Sequence, residues 1–258
     1  MGGIRMFKTY RILVCILLLI GLAGCNSTEP IHAHSTGIWN QYFVYPLSFM
    51  MQWIAQDVTG GNFGISIIMI TIIIRFALVP LSVSQHRGQL KMKQVQPKLQ
   101  ELKEKYGHAN KNLHQQKEYQ KEMSELMKNS GWNPLAGCWP IFIQLPIFSA
   151  LYYAISRTEE IRTALFLWMD LGHADPYYIL PILAAFTTWL QMKSMQVSTL
   201  PSEQMQIMKL QQYFMPGIII VIGFITPAGL VLYWITSNIF TILQTFIFKK
   251  VWEEELNK

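Results

Sequence analysis

Apolar residues gather in five runs along this chain, and the few polar residues inside the runs keep a helical spacing. The runs cover residues 61–82, 134–156, 177–195, 214–225 and 228–248. Runs approaching 20 apolar residues cross a bilayer as helices, so they predict five transmembrane spans, numbered here in chain order. Ahead of them, between Gly37 and Asp57, Trp39, Phe43, Leu47, Met50 and Ile54 recur at steps of three and four. Asn40, Gln41, Ser48 and Gln52 fall between. That pattern predicts an amphipathic helix in residues 25–60, interrupted at Pro46 and lying in the outer membrane interface.

The stretch after span 1 is polar but still periodic. Met92, Val95, Leu99, Leu102 and Tyr106 form an apolar stripe at helical steps, with Pro97 as the expected joint. Gly107 to Asn110 reads as a turn, and Asn112 to Lys128 as a second helix. Residues 83–133 therefore predict a helical hairpin.

Charge orients these elements. The hairpin carries Arg87, Lys91, Lys93, Lys98, Lys103, Lys105, Lys111, Lys117, Lys121 and Lys128 against five glutamates. Residues 157–175 carry only Arg157 and Arg162, against Glu159, Glu160, Asp170 and Asp175. The positive-inside rule then puts the hairpin and the short tail, residues 251–258, in the cytoplasm and the N-terminus outside. The lysines serve topology first, and contact with anionic headgroups or ribosomal RNA is a further use for them. Nothing points to DNA. With 51% hydrophobic and 14% charged residues, the composition excludes an ordinary soluble domain, which carries about a quarter charged residues.

The first residues read as a targeting segment. Arg5, Lys8 and Arg11 precede the short apolar run Ile12 to Ile20, and Leu22-Ala23-Gly24-Cys25 follows. This run resembles the bacterial lipobox. Residues 1–24 are then a signal peptide, and Cys25 carries diacylglycerol and an N-acyl chain such as palmitate. Cys15 leaves with the signal and Cys138 lies in an apolar run, so no disulfide framework remains.

Arg75 is the residue that needs explaining. It stands in "MITIIIRFALVP", residues 69 to 80. An arginine at the centre of a lipid-facing helix costs ~2.5–3.5 kcal/mol on insertion scales. No aspartate or glutamate occurs within the five spans to pair with it. Thr71 and Ser82 share its helix face. Thr187, Gln191 and Ser194 form a polar stripe on span 3, and Trp234, Asn238, Thr241 and Thr245 form another on span 5. Span 2 contributes Gln144, between Pro140 and Pro146. The threonines and serines are accounted for as helix glue, but a buried guanidinium without a partner is prohibitive. The stripes therefore predict a positively charged, hydrated cavity within the membrane. Span 4 adds that its 12 apolar residues reach only about 18 Å, against a hydrocarbon core of ~30 Å. A thinned bilayer accommodates that.

No ATP motif, metal cluster or nucleophile constellation is present, so no enzyme is predicted. His32 and His34 make no convincing metal site.

Three longer stretches carry a resemblance. "NPLAGCWPIFIQLPIF" (Asn133 to Phe148), "DPYYILPILAAFTTWLQMKSM" (Asp175 to Met195) and "PAGLVLYWITSNIFTILQ" (Pro227 to Gln244) resemble the YidC/Oxa1/Alb3 membrane protein insertases. Arg75 and the basic hairpin match too, and the lipobox resembles the Gram-positive form. The resemblance implies an all-α polytopic fold, with five transmembrane helices around a hydrophilic groove lined by Arg75, Gln144, Gln191 and Trp234. It also implies insertion of newly made membrane proteins into the bacterial cell membrane, with the Sec translocon and ribosome as candidate partners. No cofactor is implied beyond the lipid on Cys25. The tail "KKVWEEELNK" lacks the long basic extension that some members use for ribosome contact. The competing reading is a small-anion transporter or channel, against which five unequal spans without repeats argue.

Overall fold

The structure, a computed structural model, describes residues 29–106, 113–130, 139–195 and 202–256. The expected signal peptide, the lipidated Cys25 and the turn at 107–110 lie outside the described residues. Helices α1 to α9 and one two-stranded ribbon make up the described chain. The helices are α1 Tyr45–Trp53, α2 Phe63–Ala77, α3 Val79–Tyr106, α4 Leu113–Ser130, α5 Trp139–Arg157 and α6 Glu159–Arg162, then α7 Ile179–Met195, α8 Ser202–Gly223 and α9 Ala228–Leu256. Strands β1 Leu165–Phe166 and β2 Met169–Asp170 pair antiparallel between α6 and α7.

α1 continues at both ends into π-helical turns, Asn40–Val44 and Ile54–Val58. The expected break at Pro46 is absent. Pro46 sits where the π-helical turn Asn40–Val44 meets α1, with the Tyr45 N–H still bonded to the Asn40 carbonyl, and this change of hydrogen-bond register absorbs its missing N–H. The buried face agrees with the expected one only in part. Trp39 and Ile54 of the expected stripe are buried, but Phe43 and Met50 are exposed, and Val44, Ser48, Met51 and Ala55 turn inward against α2 and α5. Buried hydrogen bonds fix this packing. Ser66 Oγ donates to the Met51 carbonyl at 2.5 Å, and the Ser48 and Thr158 hydroxyls meet at 2.6 Å.

Asn62 starts α2 by accepting the Ile65 N–H at 3.0 Å. α2 ends at Leu78, and α3 leaves at an angle of 53°. Pro80 explains the bend, because it has no N–H to return to the Phe76 carbonyl. Pro97, by contrast, is no joint, since α3 runs through it to Tyr106. It sits on the exposed side, with Val95 and Leu99 buried on the other, so water can satisfy the carbonyl it frees. α3 and α4 pack together as the expected hairpin, closed by Lys105 Nζ and the Tyr106 hydroxyl on Glu122, at 2.7 and 2.8 Å. α8 is a further correction. It begins at Ser202 and has 22 residues, so the 12-residue apolar run is the second half of a full-length helix.

Around α9, Tyr233 and Leu230 join Ile67 and Ile70 of α2 and Leu151 and Ile155 of α5 in one core. At the end of the bundle where α1 lies, Phe166 of β1 covers Gly64 at the start of α2. A Cβ there would lie 2.1 Å from the Phe166 ring. Asp175, buried, accepts the Leu180 N–H at 2.7 Å and the Trp168 indole N–H at 3.0 Å, joining the ribbon to α7. Outward faces remain apolar, with Phe76 on α2, Phe186 on α7, Val221 on α8 and Phe246 on α9 all exposed. By length and composition, α9 from Ala228 to Val251 is the one described helix that reaches a span unaided, and the bent pair α2–α3 reaches it jointly.

Candidate functional site

α2 brings Arg75 to its last turn, half-buried, beside α5 and α9. Its Nη2 donates to Gln144 Oε1 of α5 at 3.3 Å and to Ser237 Oγ of α9. Gln144 passes the contact on, donating from Nε2 to the Tyr233 hydroxyl at 2.8 Å. Tyr233 and Ser237 are both buried and stand one helical turn apart on α9. Arg75 Nε is buried and makes no hydrogen bond among the described residues. None of the ion pairs among the described residues involves Arg75. The guanidinium is therefore held by neutral oxygens, which fix its position and leave its charge in force.

Of the four residues expected to line one groove, Arg75 and Gln144 are in direct contact. Trp234 lies against Phe148 of α5, with ring centroids 5.4 Å apart at 77°, next to Tyr233. Gln191 on α7 is half-buried, and its side chain is not part of the Arg75 hydrogen-bond cluster. Asn238 does other work. Its Nδ2 donates to the Thr187 and Thr188 hydroxyls at 3.1 and 2.9 Å, clamping α7 to α9. Thr71, Thr241 and Thr245 return their hydroxyls to carbonyls one turn back on their own helices, as residues of helix packing do. Sequence reasoning missed Tyr233 and Ser237. Each directly precedes a member of the stripe Trp234–Asn238, so the signal lay one position away.

Among the described residues, no group of three or more His, Cys, Asp or Glu side chains could hold a metal ion.

Helices that keep an arginine among neutral partners inside and turn phenylalanine and isoleucine outward suit a helical protein solvated by lipid. Comparison with known proteins identifies the class as a membrane protein. Residues 53–255 match the family described as 60Kd inner membrane protein, and the chain belongs to that family. The chain is 60% identical over 253 residues to membrane protein insertase YidC 1 of Bacillus anthracis, covering 97% of both chains. Membrane protein insertase MisCA of Bacillus subtilis is 46% identical over 229 residues, covering 88% of this chain and 86% of the other. The crystal structure of an active YidC insertase, with its first transmembrane domain resolved, is similar in fold. Its TM-score is 0.60 at 22% identity, covering 81% of this chain and 46% of that one.

Proposed function

We propose that this chain is a membrane protein insertase and chaperone that moves short polar or acidic outer segments of new membrane proteins across the bilayer. The observation that carries this reading is Arg75, a cation between helices whose partners, Gln144 and Ser237, are both neutral. A guanidinium without a fixed counter-ion attracts an incoming carboxylate and releases it again, because no permanent bond has to be remade. The insertase names of relatives at 60% and 46% identity support the same reading, whereas the small-anion transporter finds no such support.

In this proposal the five spans are carried by α2 running into the start of α3, and by α5, α7, α8 and α9. Arg75, Gln144, Gln191 and Trp234 line the client groove. The N-terminus is lipidated at Cys25 outside the cell membrane, and the hairpin and C-terminus are cytoplasmic. Nascent membrane proteins are the clients, with the Sec translocon and the ribosome as candidate helpers. The chain performs no bond chemistry. Insertion is driven by burying the client's apolar span, at about 25 cal/mol per Å².

Reconstituted protein tests it with a client whose outer tail carries aspartates. Arg75→Ala and Arg75→Glu are expected to abolish insertion of that client, and Arg75→Lys to keep much of it. Equal activity of the alanine and lysine variants would sink the electrostatic account.

A further inference from the structure

Both hydrogen bonds that hold Arg75 leave from the same nitrogen. Nη2 has two N–H groups, and Gln144 and Ser237 supply two acceptors for them. Nε makes no hydrogen bond among the described residues. A carboxylate held bidentately by a guanidinium needs one N–H from each of two nitrogens. Both pairings, Nε with Nη2 and Nη1 with Nη2, draw on Nη2. A client carboxylate therefore gains the fork only by displacing one of the two neutral acceptors.

The two are not equally easy to displace. The Gln144 contact is 3.3 Å, beyond the usual ~2.9–3.0 Å for N–H···O. Gln144 also has a second partner, the Tyr233 hydroxyl at 2.8 Å, which stays with it when Oε1 lets go. Among the described residues Ser237 has no such reserve. Its side chain is short and buried, and its carbonyl accepts the Thr241 hydroxyl at 2.9 Å within α9.

We infer that Ser237 is a positioning residue for client capture. It keeps the Arg75 guanidinium in one plane through Nη2, while Gln144 is the exchangeable acceptor that a client carboxylate replaces. The inference rests on the insertase reading above and deepens it. Gln144 fills the site between clients, so the cation is never bare, and Ser237 sets which edge of the guanidinium the client meets.

The test compares one client bearing either an aspartate tail or the same tail with asparagines, inserted into proteoliposomes by the full chain. The readout is the ratio of aspartate-tail to asparagine-tail insertion. Ser237→Ala is expected to lower that ratio about threefold, the lower end of a net hydrogen bond's worth, because the fork only adds to the attraction of the bare charge. Ser237→Thr keeps an Oγ and is expected to restore it. Ser237→Cys, close in size but a poor acceptor, is expected to follow alanine and serves if the alanine variant does not accumulate. A fall in insertion of both tails with an unchanged ratio would mean that Ser237 only packs α9, and would overturn the inference. An unchanged ratio in Ser237→Ala, with the ratio lost in Arg75→Ala, would overturn it while leaving the insertase reading intact. An unchanged ratio in Arg75→Ala would overturn both.

Discussion

Arg157, the last residue of α5, donates from Nη1 to Asn40 Oδ1 at 2.8 Å and so holds the turn that leads into α1. Its Nε donates to the Glu29 carbonyl at 2.7 Å, and its own carbonyl accepts the Ile31 N–H at 3.0 Å. The Tyr153 ring lies 5.9 Å from the guanidinium carbon. One buried arginine thus ties the N-terminal stretch, α1 and α5 together. Arg157→Ala is expected to lower stability by about 2 kcal/mol. Asn40→Ala, which removes one of these bonds, is expected to cost less. Thermal unfolding midpoints in detergent check both, and Arg157→Lys is expected to rescue little, since lysine lacks the fork that reaches two acceptors.

Gly64 and Phe166 define a second joint. Gly64→Ala puts a methyl group where the Phe166 ring lies, 2.1 Å from its nearest carbon, so the β1–β2 ribbon has to move off α2. The expected cost is about 1–3 kcal/mol. In a Phe166→Ala background the same glycine substitution is expected to cost much less. A double-mutant cycle with no coupling between the two positions would refute the contact.

The hairpin latch gives a pH prediction. The Lys105 hydrogen bond, and after it the Tyr106 hydroxyl, hold the Glu122 carboxyl below its ordinary value of 4.5. A lowered acid stabilises the closed hairpin above its unfolded value, and that contribution is lost as pH falls through the folded value. Lys105 is raised from its ordinary 10.5, first by the Glu122 hydrogen bond, so its contribution is complete below that value and lost above. Closure is therefore expected to be flat from about pH 5 to 10 and to fall on either side. Distances between spin labels at residues 98 and 125 measure it. Glu122→Gln is expected to abolish the acid limb, and an unchanged acid limb would assign it to other groups.

Cys25→Ala is expected to leave an uncleaved precursor that is still embedded in the membrane, because a single acyl chain adds little beside inserted helices. Mass spectrometry of the wild-type N-terminus decides the matter. An unmodified cysteine there would refute the lipobox reading.

The pattern of apolar and polar positions gave away much of this arrangement, and its failures share physical causes. Arg75 and Gln144 were legible because a charge and an amide inside apolar runs are costly enough to demand partners. Ser237 and Tyr233 were not, since a serine or a tyrosine near a helix stripe is cheap and common. The apolar run of α8 is shorter than the helix because its first half, from Ser202 to Gln212, is largely polar, and polarity ends a span without ending a helix. The two mid-segment prolines misled in the same way. Pro46 falls at the junction of a π-helical turn with α1 and Pro97 on an exposed face, where a missing N–H or a freed carbonyl costs little. Pro80, where the chain does bend, stands inside an apolar run that carries no other sign of a break. The buried side around α1 is legible only at Trp39 and Ile54, because both of its faces are apolar, one against the core and the other outward.

The bend at Leu78 turns α3 into a lever whose fulcrum lies three residues from Arg75. With 28 residues, α3 is about 42 Å long at 1.5 Å per residue. A rotation of about 10° at the fulcrum would sweep Tyr106 through roughly 7 Å, taking the rise per residue as the measure of arm length. The same rotation would shift Arg75, on a short arm of about 4.5 Å, by only about 0.8 Å on that scale. The hairpin can therefore travel far while the cation at its pivot keeps its aim.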